Sequence, residues 1–178
     1  VIEGNAIGVD NHGDLEMTGA TLQHNAERTV VGRSAGPAFF NSGTANVSGS
    51  TFDRNGYRDA DGIGHTHAIR NTGQMNISNS TISNNSGESV YEDGGDLVLD
   101  HVQIVLNSTV GITHARGHLT VRSSIIQNNV SDGIFVGGYG DYEGWVKILE
   151  TAIIGNRGAG LRANVGDVTV QNSTISGT

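Results

Sequence analysis

The sequence predicts an all-β solenoid: a right-handed parallel β-helix of stacked coils, each with three short strands. Three observations carry that prediction. Seven thirteen-residue segments align without gaps, their apolar residues alternate with polar ones, and an asparagine closes six of the seven. The segments are GDLEMTGATLQHN from Gly13, GTANVSGSTFDRN from Gly43, GQMNISNSTISNN from Gly73 and GDLVLDHVQIVLN from Gly95. GHLTVRSSIIQNN from Gly117, GWVKILETAIIGN from Gly144 and GDVTVQNSTISGT from Gly166 complete the set. The anchor glycines lie 30, 30, 22, 22, 27 and 22 residues apart, so the expected coil has a base period of 22. Seven to eight coils fit the length, with extra residues in the first, second and fifth.

Each element follows from the repeat. Third and fifth positions are apolar, as in Leu97 and Leu99 or Val146 and Ile148, which is the period-2 signature of a strand with one buried face. The tenth position (Leu22, Phe52, Ile82, Ile104, Ile126, Ile153, Ile175) marks a second strand behind a small or β-branched residue two places earlier. Val90, Ile112, Ile134 and Leu161 recur five residues after the thirteenth position and mark a third. Strands this short must be covered by the coils above and below, which turns each position into a ladder. The asparagines at position thirteen are expected to form such a ladder at a tight corner, because Asn tolerates left-handed backbone and stacked amides hydrogen-bond one another.

Composition narrows the classes. The chain has 178 residues, suited to one domain over 1–178, but only 35% are hydrophobic and 5% aromatic, too few for a layered globular core. The net charge of −8 and the lack of a basic run argue against nucleic acid as a partner. Without cysteine there is neither a disulfide framework nor a thiolate metal site. No apolar stretch reaches the length of a membrane span, so this segment is not expected to insert as a helix. Val1 enters partway through a coil and residue 178 stops after a second strand, so a fragment of a longer solenoid is expected. Open coil ends would favour end-to-end stacking, and side-by-side association is the other expected mode.

With its repeats in register the chain resembles the pectin-lyase-like right-handed parallel β-helix proteins. The endings TLQHN, TFDRN, TISNN, IIQNN and AIIGN also resemble the apolar-x-x-Asn repeats of bacterial polymorphic outer-membrane proteins. The resemblance implies the fold and leaves open lyases, hydrolases, epimerases, adhesins and phage tail fibres. The clustered Asp with Lys/Arg of the lyases, and the paired Asp and GHG motifs of polygalacturonase-type hydrolases, are absent.

Function is therefore sought in the inserts and outer ladders. The insert within 56–67 reads GYRDADGIGHTH. Asp59 and Asp61, followed by glycine, suit Ca²⁺, and His65 and His67 with them would suit a transition metal. Arg70, Glu92 and His114 each lie three residues before an anchor glycine and are expected to stack as one charged column beside Tyr91. In an enzyme they would supply a base and a charge-stabilising cation. On the outer face of the first strand, His118 precedes Trp145, which with Tyr139 and Tyr142 of the insert 137–143 forms a candidate sugar platform. The leading expectation is a non-catalytic extracellular or cell-surface module, an adhesin or stalk binding a carbohydrate or host ligand. A polysaccharide-processing enzyme and a tail-fibre segment are the alternatives.

Overall fold

The computed structural model describes residues 1–26, 36–57, 66–137 and 144–177. Every regular element in it is a strand, and every strand pair is parallel. The second strands of the coils, from Ile2–Glu3 to Thr174–Ser176, form one eight-stranded sheet in sequence order. First and third strands together form a twelve-stranded sheet. Two of its members, Glu88–Asp100 and Ile112–Arg122, run from a third strand through the corner into the next first strand.

Register follows the repeat. Leu22 pairs with Phe52, Phe52 with Ile82, Ile82 with Ile104, Ile104 with Ile126, and Ile126 with Ile153. All six are fully buried or nearly so, and they join Leu97, Leu99, Ile69, Ile112 and Ile134 in one continuous core. Because each coil is thin, that core is a bundle of ladders parallel to the solenoid axis, and each rung is shielded only by its neighbours.

The asparagine ladder is present and fully connected. Asn25, Asn55, Asn85, Asn107 and Asn129 each donate Nδ2–H to Oδ1 of the next, ending on Asn156. The same Oδ1 atoms also accept the backbone N–H of the preceding asparagine. The steps span 30, 30, 22, 22 and 27 residues, so the ladder stays in line whatever the length of the coil. The expectation of left-handed asparagines is corrected. Left-handed φ falls on the residue before each one: His24 (52°), Arg54 (51°), Asn84 (54°), Leu106 (58°) and Asn128 (55°). The ladder amide is buried in fixed geometry, and the turn is made by its half-buried (His24) or exposed neighbour, whose identity can therefore vary.

A second interior amide ladder went unread in the sequence. Asn11 donates to Asn41 and Asn41 to Asn71, each at 2.7 Å, and Asn71 donates to Glu92 Oε2 at 2.7 Å. The signal was the triplet NHG, NSG, NTG ahead of the first three anchor glycines. These glycines form a ladder of their own. A Cβ on Gly73, Gly95, Gly117 or Gly144 would lie 2.3, 1.9, 2.2 or 1.9 Å from the carbonyl oxygen of the glycine one coil earlier. Stacking at this corner leaves no room for a side chain.

Candidate functional site

The expected column of Arg70, Glu92 and His114 is corrected. Arg70 pairs with Tyr91, while Glu92 pairs with Asn71 on one side and His114 on the other. The corner explains the slip. Asn71 stands two residues before its anchor glycine, but Glu92 and His114 stand three before theirs, so Asp96 follows Glu92 by four residues where their partners Asn71 and Gln74 are three apart. Counting back from the glycine thus lands one residue off in the first three coils. The consequence is a split by face: Arg70 is half-exposed outside, whereas Glu92 and His114 are fully buried inside.

Burial governs both interior groups. It pushes the Glu92 carboxyl up to about 8, against the opposing hydrogen bonds from Asn71 and from the Gly95 N–H at 2.6 Å. It pulls the His114 imidazole down to about 4, partly offset by a backbone hydrogen bond at Gly117. Linkage then fixes a pH profile. Between the ordinary carboxyl and imidazole values the folded state holds one proton, on Glu92, and the unfolded state holds one, on His114, so the two slopes cancel. From about 6.5 to about 8 only the folded state keeps its proton, and stability falls as pH rises. Denaturant midpoints measured across pH should show a plateau near pH 5–6, then this decline. In Glu92→Gln the decline should vanish, and midpoints should instead rise with pH up to about 6.5 as the unfolded-state histidine loses its charge. An unchanged decline in that variant would contradict the assignment.

The outer face of the same corner carries the concave surface. Asp93 is largely buried and accepts from Arg70 Nη2 at 2.8 Å and from Arg116 Nη2 at 2.7 Å and Nε at 3.2 Å. Burial raises the Asp93 carboxyl, but the two guanidinium groups outweigh it and hold the pKa below the ordinary value. Around this hub lie two adjoining basins that share Asp93 and Arg116. One, of about 740 Å³, runs over the column Gly73, Gly95, Gly117 and Gly144, with Asp96 and His118 on its far bank. The other, of about 710 Å³, is walled by His67, Glu88, Tyr91 and Phe135, with Thr113 and Ala115 between them.

Aromatic rings stack along the axis on this face. His67 lies on Tyr91 at 4.6 Å with planes 10° apart, and the Arg70 guanidinium sits 5.9 Å from both the Phe40 and the Tyr91 ring centres. Asp96, His118, Trp145 and Asp167 do follow one another as consecutive outer rungs. His118 hydrogen-bonds Asp96 at 2.7 Å and stacks on Trp145 at 4.7 Å, and Lys147 Nζ is 4.1 Å from the same ring centre. The indole is thus half-buried and engaged by its neighbours rather than standing as an open plate. Tyr139 and Tyr142 lie outside the described residues, as do Asp59, Asp61 and His65. His67 is described and sits 3.1 Å from Glu88. Among the described residues no cluster of three or more His, Cys, Asp or Glu could hold a metal ion.

The right-handed β-helix family matches the chain over residues 5–175. The chain belongs to that family. No curated protein and no solved structure matches the chain significantly. For this β-helix, family membership gives the coil and its handedness, and the site must be argued from its own residues. Of those, Asp93, Arg116, Glu88 and Phe135 were missed in the sequence. Phe135 could have been found from the outward column Arg70, Tyr91, Thr113, whereas Glu88 pairs with His67 and Asp93 pairs with Arg116 across a register shift that periodicity does not give.

Proposed function

We propose that this β-helix is a non-catalytic binding module of a surface or secreted protein, presenting its side face to a carbohydrate ligand. The observation that carries the reading is the split by face: the basins are open to solvent, while Glu92 and His114, the strongest acid–base candidates, are sealed inside the stack. A base must reach the proton it removes, and neither group has a surface path. What faces solvent is suited to binding. The Asp93–Arg70–Arg116 cluster is fixed by three hydrogen bonds, and the ring edges and faces around it offer apolar area at little entropic cost.

The test is a glycan panel followed by calorimetry on the hits. Arg116→Ala and His118→Ala, one on each bank of the glycine-floored basin, should each weaken binding by about tenfold with the fold retained. Incubation with uronate-containing and neutral polymers, with and without Ca²⁺, should yield neither unsaturated products nor new reducing ends. Turnover that disappears in Glu92→Gln would replace the binding reading with an enzymatic one.

A further inference from the structure

We infer that the floor of the glycine-lined basin is a proton-controlled latch: the proton on Glu92 keeps the floor closed and the ligand seat formed, and its loss favours opening. As regulation of a carbohydrate site this rests on the binding reading above; the latch itself rests on how the corner is built. Glu92 and the basin lie on opposite sides of one turn of backbone, residues 92–95. Inside, Gly95 N–H donates to Glu92 Oε1 at 2.6 Å, so the turn is closed by the side chain of its own first residue. Outside, Asp93, Gly94 and Gly95 line the basin, and Asp93 carries both arginines of the hub. Gly94 is exposed at φ 111°, and a Cβ there would meet nothing within 4 Å, so the turn has a permissive backbone and room to swing outward.

The groups around Glu92 decide the sign. The rung above supplies the neutral Asn71 amide, whose Nδ2 lies 2.7 Å from Oε2, and the rung below supplies the His114 imidazole. Burial pulls that imidazole down to about 4, so it is neutral from about pH 5 upward. Asp93 and Asp96 of the same strand both oppose a further negative charge, while Arg70 and Arg116 are engaged by Asp93 on the outer face.

Burial pushes the closed-state Glu92 carboxyl up to about 8. Once ionised, it recovers hydration only by opening the turn. In the open turn the carboxyl returns to its ordinary range, so the closed floor holds a proton that the open floor releases. The opening equilibrium therefore rises about tenfold per pH unit between the two values and levels off above about 8. A ligand seated on Gly95 favours the closed floor, as the proton does, so each strengthens the binding of the other.

The probe is pH itself, read by amide hydrogen exchange on the intact chain under conditions where reclosing outpaces exchange. After correction for base catalysis of exchange, protection of the Gly95 amide should fall about tenfold per unit from about pH 5 to about 8, then level off. Ile126, fully buried in the eight-stranded sheet, is the internal control. Its protection follows global unfolding and should stay flat across the stability plateau near pH 5–6. In Glu92→Gln the slope at Gly95 should vanish; should that variant fail to fold, the contrast between Gly95 and Ile126 in the parent decides. Gly95 protection that parallels Ile126 near pH 5–6, or a slope that survives in Glu92→Gln, would overturn the latch and leave the carbohydrate reading standing. A glycan panel without a hit would overturn the regulatory role together with that reading, while the slope at Gly95 would still establish the latch.

Discussion

Gly95→Ala is expected to destabilise the protein by more than about 4 kcal/mol, enough to unfold the middle of the stack under conditions where the parent is native. The added Cβ would lie 1.9 Å from the Gly73 carbonyl oxygen and 2.8 Å from its carbonyl carbon and nitrogen. Those atoms belong to backbone that is itself stacked on the Gly43 coil, so relief requires moving a whole corner. The N–H of Gly95 also donates to Glu92, and displacing it would strip a buried carboxyl of one of its two donors. Gly13→Ala is the matched control. It occupies the same column, but a Cβ there meets nothing within 4 Å, so a change within about 0.5 kcal/mol is expected. Urea midpoints of the two variants should differ widely. Similar midpoints would mean that the coils at this corner are farther apart than described.

Asn107→Ala should cost about 4 kcal/mol, by a different mechanism. The Asn107 amide is fully buried, and its Oδ1 accepts both the backbone N–H and the Nδ2–H of Asn85, each at 3.0 Å. Its Nδ2–H groups satisfy Ile82 O at 3.2 Å and Asn129 Oδ1 at 2.9 Å. Alanine would orphan two donors where no water enters, at about 1–3 kcal/mol each, and open a void in the corner. The neighbouring residue gives the contrast. Leu106 is exposed and has φ 58°, a conformation that favours glycine. Leu106→Gly should therefore stay within about 1 kcal/mol of the parent, relief of strain offsetting the added freedom of the unfolded chain. Unfolding of both variants followed by hydrogen exchange would also show where protection is lost. Asn107→Ala should expose the amides of the adjacent coils first.

The difference between these substitutions marks what could be read in one dimension. Asn107 announces itself because the same residue type recurs at the same place in six coils, and Gly95 does so as the anchor of its segment. Leu106 carries no such mark, since its conformation is imposed by the ladder beside it. The candidate site was the harder part. Asp93 and Arg116 lie 23 residues apart, one residue beyond the base period, so no alignment of the repeats puts them together. Trp145 was placed on the correct outer rung, but its packing against His118 and Lys147 depends on side-chain directions that periodicity does not encode.

By itself the sequence determined the architecture: three strands per coil, the apolar ladders and the Asn25-to-Asn156 amide ladder. It could do so because a solenoid is quasi-one-dimensional, and each residue's neighbours are its counterparts one coil away. Tertiary structure alone decided which way each group at the glycine corner faces. One added residue there inverts the side from which a side chain leaves the strand, because the period is two. That inversion sent Glu92 and His114 into the core, left Arg70 outside, and brought Asp93 between two arginines at the edge of an open basin.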